Sequence, residues 1–168
     1  QRKAAALTLL AELLGGNPTT SLFARELQFD RKVAVWSAAF YDGTSVDPDT
    51  FGVYVNPVPG VALAEAETAM DEVIAEFLKT GVEDAELDRI KTQIRASTIY
   101  ARDDAGGLAR LYGHALAVGL TVKDVQDWPE LLQSITEDEI MAAAAEVFDR
   151  KRAVTGWLMA PTTEEAQQ

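Results

Sequence analysis

The strongest constraint on the fold is a change in hydrophobic period along the chain. Residues 33–41 and residues 51–56 alternate from side to side, which is the period-two pattern of β-strands. A segment rich in Asp, Gly, Ser and Pro separates them, so we predict an antiparallel hairpin with a long loop. The alternation predicts that one side of this hairpin packs against helices through Trp36, Phe40, Phe51, Val53 and Val55.

The rest of the chain follows a helical period. Apolar spacing predicts a helix over residues 2–14, ended by a Gly pair, and a second helix capped by Thr19 or Thr20. Residues 61–148 carry successive helical stripes, including a short helical pair around Pro129 and a helix opened by a Thr136–Glu139 capping box. Residues 152–159 alternate again and predict a last strand.

This order of elements predicts an α+β fold, with an antiparallel sheet covered by helices on one face. The expected cover is the helical block of residues 61–148. The length of 168 residues and the 48% hydrophobic content favour one domain with a real core. We therefore predict a single domain over residues 1–161 and a flexible tail over residues 162–168.

The acidic net charge disfavours two classes of binding partner. Acidic residues outnumber basic ones 27 to 15, giving a net charge of −12. Nucleic-acid binding needs clustered basic residues, and an anionic lipid surface would repel this chain, so neither partner is expected. No apolar run approaches the roughly 20 residues that span a bilayer.

The residue types argue against an active site within the chain. A catalytic zinc needs three protein ligands, and this chain has no Cys and a single His, His114, beside an apolar helical stripe. Neither Gly pair has the context of a phosphate-binding loop, and no Ser lies in a nucleophile elbow. We therefore predict no catalytic residue, no metal ligand and no cofactor within this chain.

The first residues suggest a fragment. The chain begins at Gln1 without an initiator Met and enters a helical pattern at once. We expect it to be a piece of a longer protein, whose address signal would lie upstream.

An ordered series of short motifs resembles the insulinase/pitrilysin family of zinc peptidases, which includes the mitochondrial processing peptidase. The resemblance covers nearly the whole chain. The matching motifs are Leu13-Leu14-Gly15-Gly16, Ser21-Leu22-Phe23-Ala24-Arg25-Glu26-Leu27, Val33-Ala34-Val35, Asp47-Pro48, Phe51-Gly52-Val53-Tyr54, Pro57-Val58-Pro59-Gly60, Gly81-Val82, Tyr100-Ala101-Arg102-Asp103, Gly119-Leu120-Thr121 and Ala153-Val154-Thr155-Gly156-Trp157-Leu158.

The resemblance implies one half-domain of a clam-shell peptidase. In that family one α+β domain carries an inverted zinc motif, H-x-x-E-H, and a similar inactive domain packs across a closed chamber. This chain has no such motif and resembles the later part of the inactive C-terminal domain, with opening strands expected before residue 1. Zinc then belongs to the catalytic domain of the parent or of a partner chain.

The resemblance also suggests a peptide-binding face. Some family members hold substrate with an Arg and a Tyr seven positions apart, and the aligned positions here are Gln28 and Val35. Neither residue type is kept, so stabilisation of the reaction intermediate by this domain is not expected. The face turned away from the helices would line the peptide's path through Val35, Ser37, Tyr54 and Asn56, with Gln28 beside them.

Three functions follow. The first is the non-catalytic domain of a bacterial zinc metalloendopeptidase, dimeric in its full-length form and acting on peptides. The second is a catalytically dead scaffold or inactive partner subunit of the same family, and the third is an unrelated acidic interaction module. Bacterial relatives are often exported, so the periplasm or cell envelope is the expected compartment, with the cytoplasm as the alternative.

Overall fold

A computed structural model describes residues 1–47 and 49–159. Helix α1 (Arg2–Ala11) continues into a first π-helix (Glu12–Gly16), and a second π-helix (Ala24–Asp30) precedes strands β1 (Ala34–Phe40) and β2 (Gly52–Pro57). The helices that follow are α2 (Leu63–Thr80), α3 (Asp84–Ala101), α4 (Ala105–Ala117), α5 (Val122–Ser134) and α6 (Glu137–Val147), before a short 3₁₀ turn (Arg150–Arg152). The predicted α+β class is confirmed.

The N-terminal helix supplies the centre of the core. Leu9, Leu10 and Leu14 are fully buried, and α5 and α6 pack on α1. The caps of the next helical segment differ from the prediction. Neither Thr19 nor Thr20 caps it, because both give their backbone N–H groups to Asn17 Oδ1, and Ser21 Oγ accepts from the Ala24 N–H instead.

The two strands form the predicted antiparallel hairpin. Ala34 pairs with Pro57 and Trp36 with Asn56, which leaves Val35 as an extra residue in a β-bulge. A one-residue slip moves every later side chain to the opposite face, so the predicted faces of β1 are wrong from Trp36 onward. Trp36 and Phe40 point to solvent, while Ser37 and Ala39 are buried. On β2, Val53 and Val55 pack against the core as predicted.

Close approach of backbone explains why β1 turns its small residues inward. A Cβ at Gly15 would lie 2.0 Å from the backbone nitrogen of Ala39 and 2.5 Å from the carbonyl carbon of Ala38. The first π-helix therefore lies directly against β1, and only side chains such as Ser37 and Ala39 fit between them. An indole ring at Trp36 has no space on that side.

The helical cover of the sheet also differs from the prediction. The inner face of β1 packs mainly on the two π-helices, and α2 packs on β2. Of the helical block 61–148, α2 is the main cover of the hairpin, because α5 and α6 are drawn onto α1 and α3 is held by α5.

Of the two predictions made for the last helices, one is confirmed and one is wrong. The predicted box at Thr136 and Glu139 opens α6 and is confirmed. The predicted break at Pro129 is wrong, because α5 runs through it as one helix. A second capping box, Thr121 with Asp124, holds the start of α5, and the buried Leu132 holds its end.

The predicted strand over residues 152–159 is also wrong. After the 3₁₀ turn, residues 153–159 lie on the surface without a ladder partner among the described residues. Trp157 donates from its indole nitrogen to Glu67 Oε2 at 2.8 Å, which ties the segment to α2. The alternating pattern is there, but a strand needs a neighbouring strand to satisfy its backbone. The predicted tail, residues 162–168, lies outside the described residues.

Candidate functional site

The outer face of the hairpin, turned away from the helices, carries a cluster of exposed aromatic rings. The centroids of Trp36 and Tyr54 are 6.3 Å apart, and those of Phe40 and Tyr54 are 5.3 Å apart with nearly parallel planes. Trp36 is 47% exposed, Phe40 45% and Tyr54 55%. Three large rings, with Tyr54 in contact with the other two and each about half open to solvent, form an apolar surface typical of recognition sites. We call these three rings the aromatic platform.

Local backbone features place the platform. The bulge at Val35 turns Trp36 outward, where it stands across from Asn56. Gly52 stands across from Phe40, and a Cβ there would lie 2.0 Å from the Phe40 Cζ atom. The Phe40 ring therefore lies over the bare glycine, which brings it into stacking contact with Tyr54.

The structure divides the five residues of the predicted peptide-binding face. Val35, Tyr54 and Asn56 lie on the exposed outer face as predicted. Ser37 is on the opposite side and only 1% exposed. Gln28, which is half-buried, donates from Nε2 to Ser37 Oγ at 2.8 Å. These two residues therefore join the second π-helix to β1 and do not line the outer face.

Sequence reasoning missed Trp36 and Phe40 because it counted alternation without a bulge. The hairpin register carried the signal. Cross-strand partners share a face, so a register that pairs Trp36 with Asn56 places both on the side already assigned to Asn56. The bulge that sets this register lies at Val35, and beyond it the backbone of Ala38 and Ala39 packs directly against Gly15.

The outer face offers binding chemistry rather than bond-breaking chemistry. Its residues carry no formal charge: Val35, Trp36, Ala38, Phe40, Tyr54 and Asn56. Within residues 1–47 and 49–159, no group of three His, Cys, Asp or Glu side chains is placed to hold a metal ion. With one His and no Cys in the sequence, the donors do not fit a catalytic zinc site.

Asp42 and His114 take part in hydrogen bonds that organise the loop between the strands. Thr44 donates from its hydroxyl and its backbone N–H to Asp42 Oδ1. These bonds hold the pKa of the Asp42 carboxyl below its usual value. The same hydroxyl lies 3.1 Å from His114 Nε2, so the sole histidine links α4 to the loop.

A cleft lies on the helical side. It has a volume of about 410 Å³ and runs between the second π-helix and the helices α2 and α3, over the buried side chains of Leu13 and Phe77. Arg25 and Glu86 close part of it with an ion pair of 2.9 Å. Both arginines that line the cleft are engaged, Arg25 with Glu86 and Arg31 with Glu72, so the aromatic face is the better candidate for a binding site. Among the described helices, none has the length and apolarity to cross a membrane.

Comparison with known proteins gives a consistent result. Residues 1–94 match the family described as the peptidase M16 inactive domain. An uncharacterized zinc protease of Streptomyces coelicolor is 28% identical over 152 residues, covering 89% of this chain and 32% of that protein. The chain thus spans about a third of the curated relative that it matches.

Solved structures share the fold. The inactive peptidase domain of a proposed zinc protease from Bordetella parapertussis superposes with a TM-score of 0.82 at 14% identity, covering 97% of this chain and 87% of that one. A protease from Helicobacter pylori gives a TM-score of 0.75 at 18% identity, over 87% of this chain and 35% of that one.

Proposed function

Because the chain belongs to the peptidase M16 inactive domain family, we propose that it is the non-catalytic C-terminal domain of a bacterial zinc metalloendopeptidase. In this proposal the outer face of the hairpin forms one wall of the peptide-binding chamber. The observation that carries the proposal is the exposed, uncharged aromatic platform on a chain whose own donors do not fit a zinc site. Zinc and the bond-breaking groups then belong to the catalytic domain.

The wall would act by holding peptide beside the zinc. An extended peptide can use the unpaired backbone groups at a strand edge together with side chains on the face. Tyr54 supplies a ring and a hydroxyl there, and Asn56 supplies an amide. Gln28 and Ser37 stabilise the wall from behind through their hydrogen bond.

The test uses the full-length protein with its catalytic domain. We expect Tyr54→Ala to raise KM for long peptides several-fold, consistent with roughly 1 kcal/mol for a lost hydrogen bond plus lost ring contact. Tyr100→Ala is the control, because Tyr100 is also an exposed tyrosine, 77% exposed against 55% for Tyr54, but lies at the end of α3. Peptide kinetics unchanged by Tyr54→Ala in an active preparation would remove this face from the chamber.

The second candidate is a catalytically dead scaffold or inactive partner subunit. The absence of the expected Arg and Tyr at Gln28 and Val35 favours it. The upstream sequence decides between the two: an H-x-x-E-H motif there supports the peptidase, and its absence supports the scaffold.

The assembly and the compartment are part of the same proposal. We propose a dimeric full-length protein in the periplasm or cell envelope. Light scattering of the purified full-length protein tests the dimer, and cell fractionation tests the compartment. A monomer, or recovery only from the cytoplasm, would contradict the respective statement.

A further inference from the structure

We infer that the aromatic platform selects extended peptides with large apolar side chains two residues apart. The inference rests on the proposed function, since it assigns the occupant of the same wall. Its starting point is that Trp36, Tyr54 and Phe40 are neighbours on one exposed face, with centroids 6.3 Å and 5.3 Å apart.

The spacing of the rings suits an extended chain. Side chains on one side of a strand recur every two residues, or about 6.6 Å at ~3.3 Å per residue. The Trp36–Tyr54 separation of 6.3 Å is close to this repeat. Two apolar side chains at positions i and i+2 of a bound peptide can therefore each contact a ring of the platform.

The dimensions of the hairpin suit an extended peptide. The seven residues of β1 extend about 23 Å, and two strands are about 10 Å wide. A single extended segment, one strand wide, can lie along this length and reach rings from both strands.

The charge of the face favours apolar side chains. The chain has a net charge of −12, yet the six outer-face residues are all uncharged. An acidic peptide side chain over the rings would lose hydration without gaining an ionic partner, whereas an apolar one would shed water on both sides. The stacking of Phe40 over Gly52 and against Tyr54 holds two of the rings in place before binding.

The experiment measures equilibrium binding, so it does not depend on hydrolysis. Fluorescence anisotropy is recorded with the full-length, zinc-depleted protein and two labelled decapeptides. The peptides are identical except for Phe-x-Phe or Ser-x-Ser at the centre. We expect the Phe-x-Phe peptide to bind tighter by about tenfold, as two aromatic contacts allow.

The variants locate this preference. Trp36→Ala and Tyr54→Ala should each reduce the Phe-x-Phe advantage to about threefold or less, while Trp36→Phe should retain most of it. Tyr100→Ala should leave it unchanged. Melting curves verify folding, and Tyr54→Ala carries the test if Trp36→Ala fails to fold.

Three results would overturn the inference. The first is equal binding of both peptides by the unaltered protein, the second is an equal weakening of both peptides by the platform variants, and the third is no effect of any platform variant. Equal weakening would leave the chamber wall in place and remove only its selectivity. Wild-type affinity for both peptides in every platform variant would contradict the wall as well.

Discussion

Single residues in this domain have roles that their types do not reveal. Gln28 and Ser37 are polar residues of the kind that line a peptide path, but they bond to each other between the second π-helix and β1. Ser37 is 1% exposed, so its hydroxyl depends on Gln28 for a partner. The hydrogen bond between these two residues therefore stabilises the fold.

This pair gives a stability prediction. Gln28→Ala should lower the free energy of unfolding by about 1–3 kcal/mol, because it leaves a buried hydroxyl unsatisfied. The loss should be much smaller in the Ser37→Ala background, where no hydroxyl remains. Urea unfolding of the four proteins of this cycle measures the coupling, with Gln126→Ala, exposed on α5, as the control. Independent, additive losses would show that the bond contributes little.

Glu139 gives a prediction for the pH dependence of stability. Hydrogen bonds from Arg2 and from the backbone of Thr136 lower its pKa from 4.5 to about 2. A carboxyl with a depressed folded-state pKa stabilises the protein above its unfolded pKa, and loses that contribution as pH falls through the folded value. The effect should therefore fade between pH 4.5 and pH 2.

Glu139→Gln isolates this charge, since Gln can keep the capping box. We expect the variant to be less stable than the unaltered protein at pH 7, with the difference shrinking as the pH falls towards 2. Asp138→Asn is the control, because Asp138 is in the same turn without a hydrogen-bond partner among the described residues. Unfolding curves over this pH range check it. A difference that is constant with pH would contradict the assigned role of the charge.

Among the elements, the contact between the first π-helix and β1 sets the geometry of the sheet. The helix lies so close that Gly15 has no room for a methyl group. This contact fixes which side of β1 is buried, and with it the outward position of the aromatic platform. The predicted helix ended at residue 14, but the chain continues in helical form through Gly16 as a wider π-turn.

Alanine substitutions at two glycines distinguish the effect of close packing on stability from the effect of helix propensity. Gly15→Ala should destabilise the domain by several kcal/mol or prevent folding, because its Cβ would clash with strand backbone. Gly113→Ala, in the middle of α4 with no heavy atom within 4 Å of the added Cβ, should be neutral or stabilising by up to about 1 kcal/mol. Thermal and urea unfolding compare them. Similar effects at both positions would contradict the close approach.

The faces of β1 give a further test at this scale. Phe23 is fully buried, and Phe23→Ala should cost about 3–5 kcal/mol. Trp36→Ala should cost less than half of that, because the ring is 47% exposed. A larger loss of stability for Trp36→Ala in the same unfolding assay would indicate that the indole is buried in the core, and would contradict the aromatic platform.

For the whole molecule, the prediction concerns metal. The purified 168-residue chain should hold no stoichiometric zinc after dialysis and should cleave no peptide, because one His and no Cys do not supply a three-ligand site. Elemental analysis and a peptide-cleavage assay measure this. One tightly held zinc per chain would place a metal site in this domain and contradict its role as the inactive half.

The sequence by itself determined most of the elements and the family. Periodicity located the helices and the hairpin, the Thr136 box located the start of α6, and the ordered motifs identified the inactive domain of a zinc peptidase. These are local properties, set by which side chains recur at which spacing. The motif series identified the family because the order of motifs along the chain can be read from the sequence.

Only the tertiary structure decided which side of β1 is buried, whether Pro129 breaks α5 and whether residues 153–159 form a strand. The buried side of β1 lies against Gly15, a contact of Gly15 with the backbone of Ala38 and Ala39 that joins segments more than 20 residues apart. Pro129 is tolerated because the Thr121 cap and buried Leu132 hold α5 on either side of it. A strand exists only beside another strand, and alternation in one segment carries no information about its neighbour.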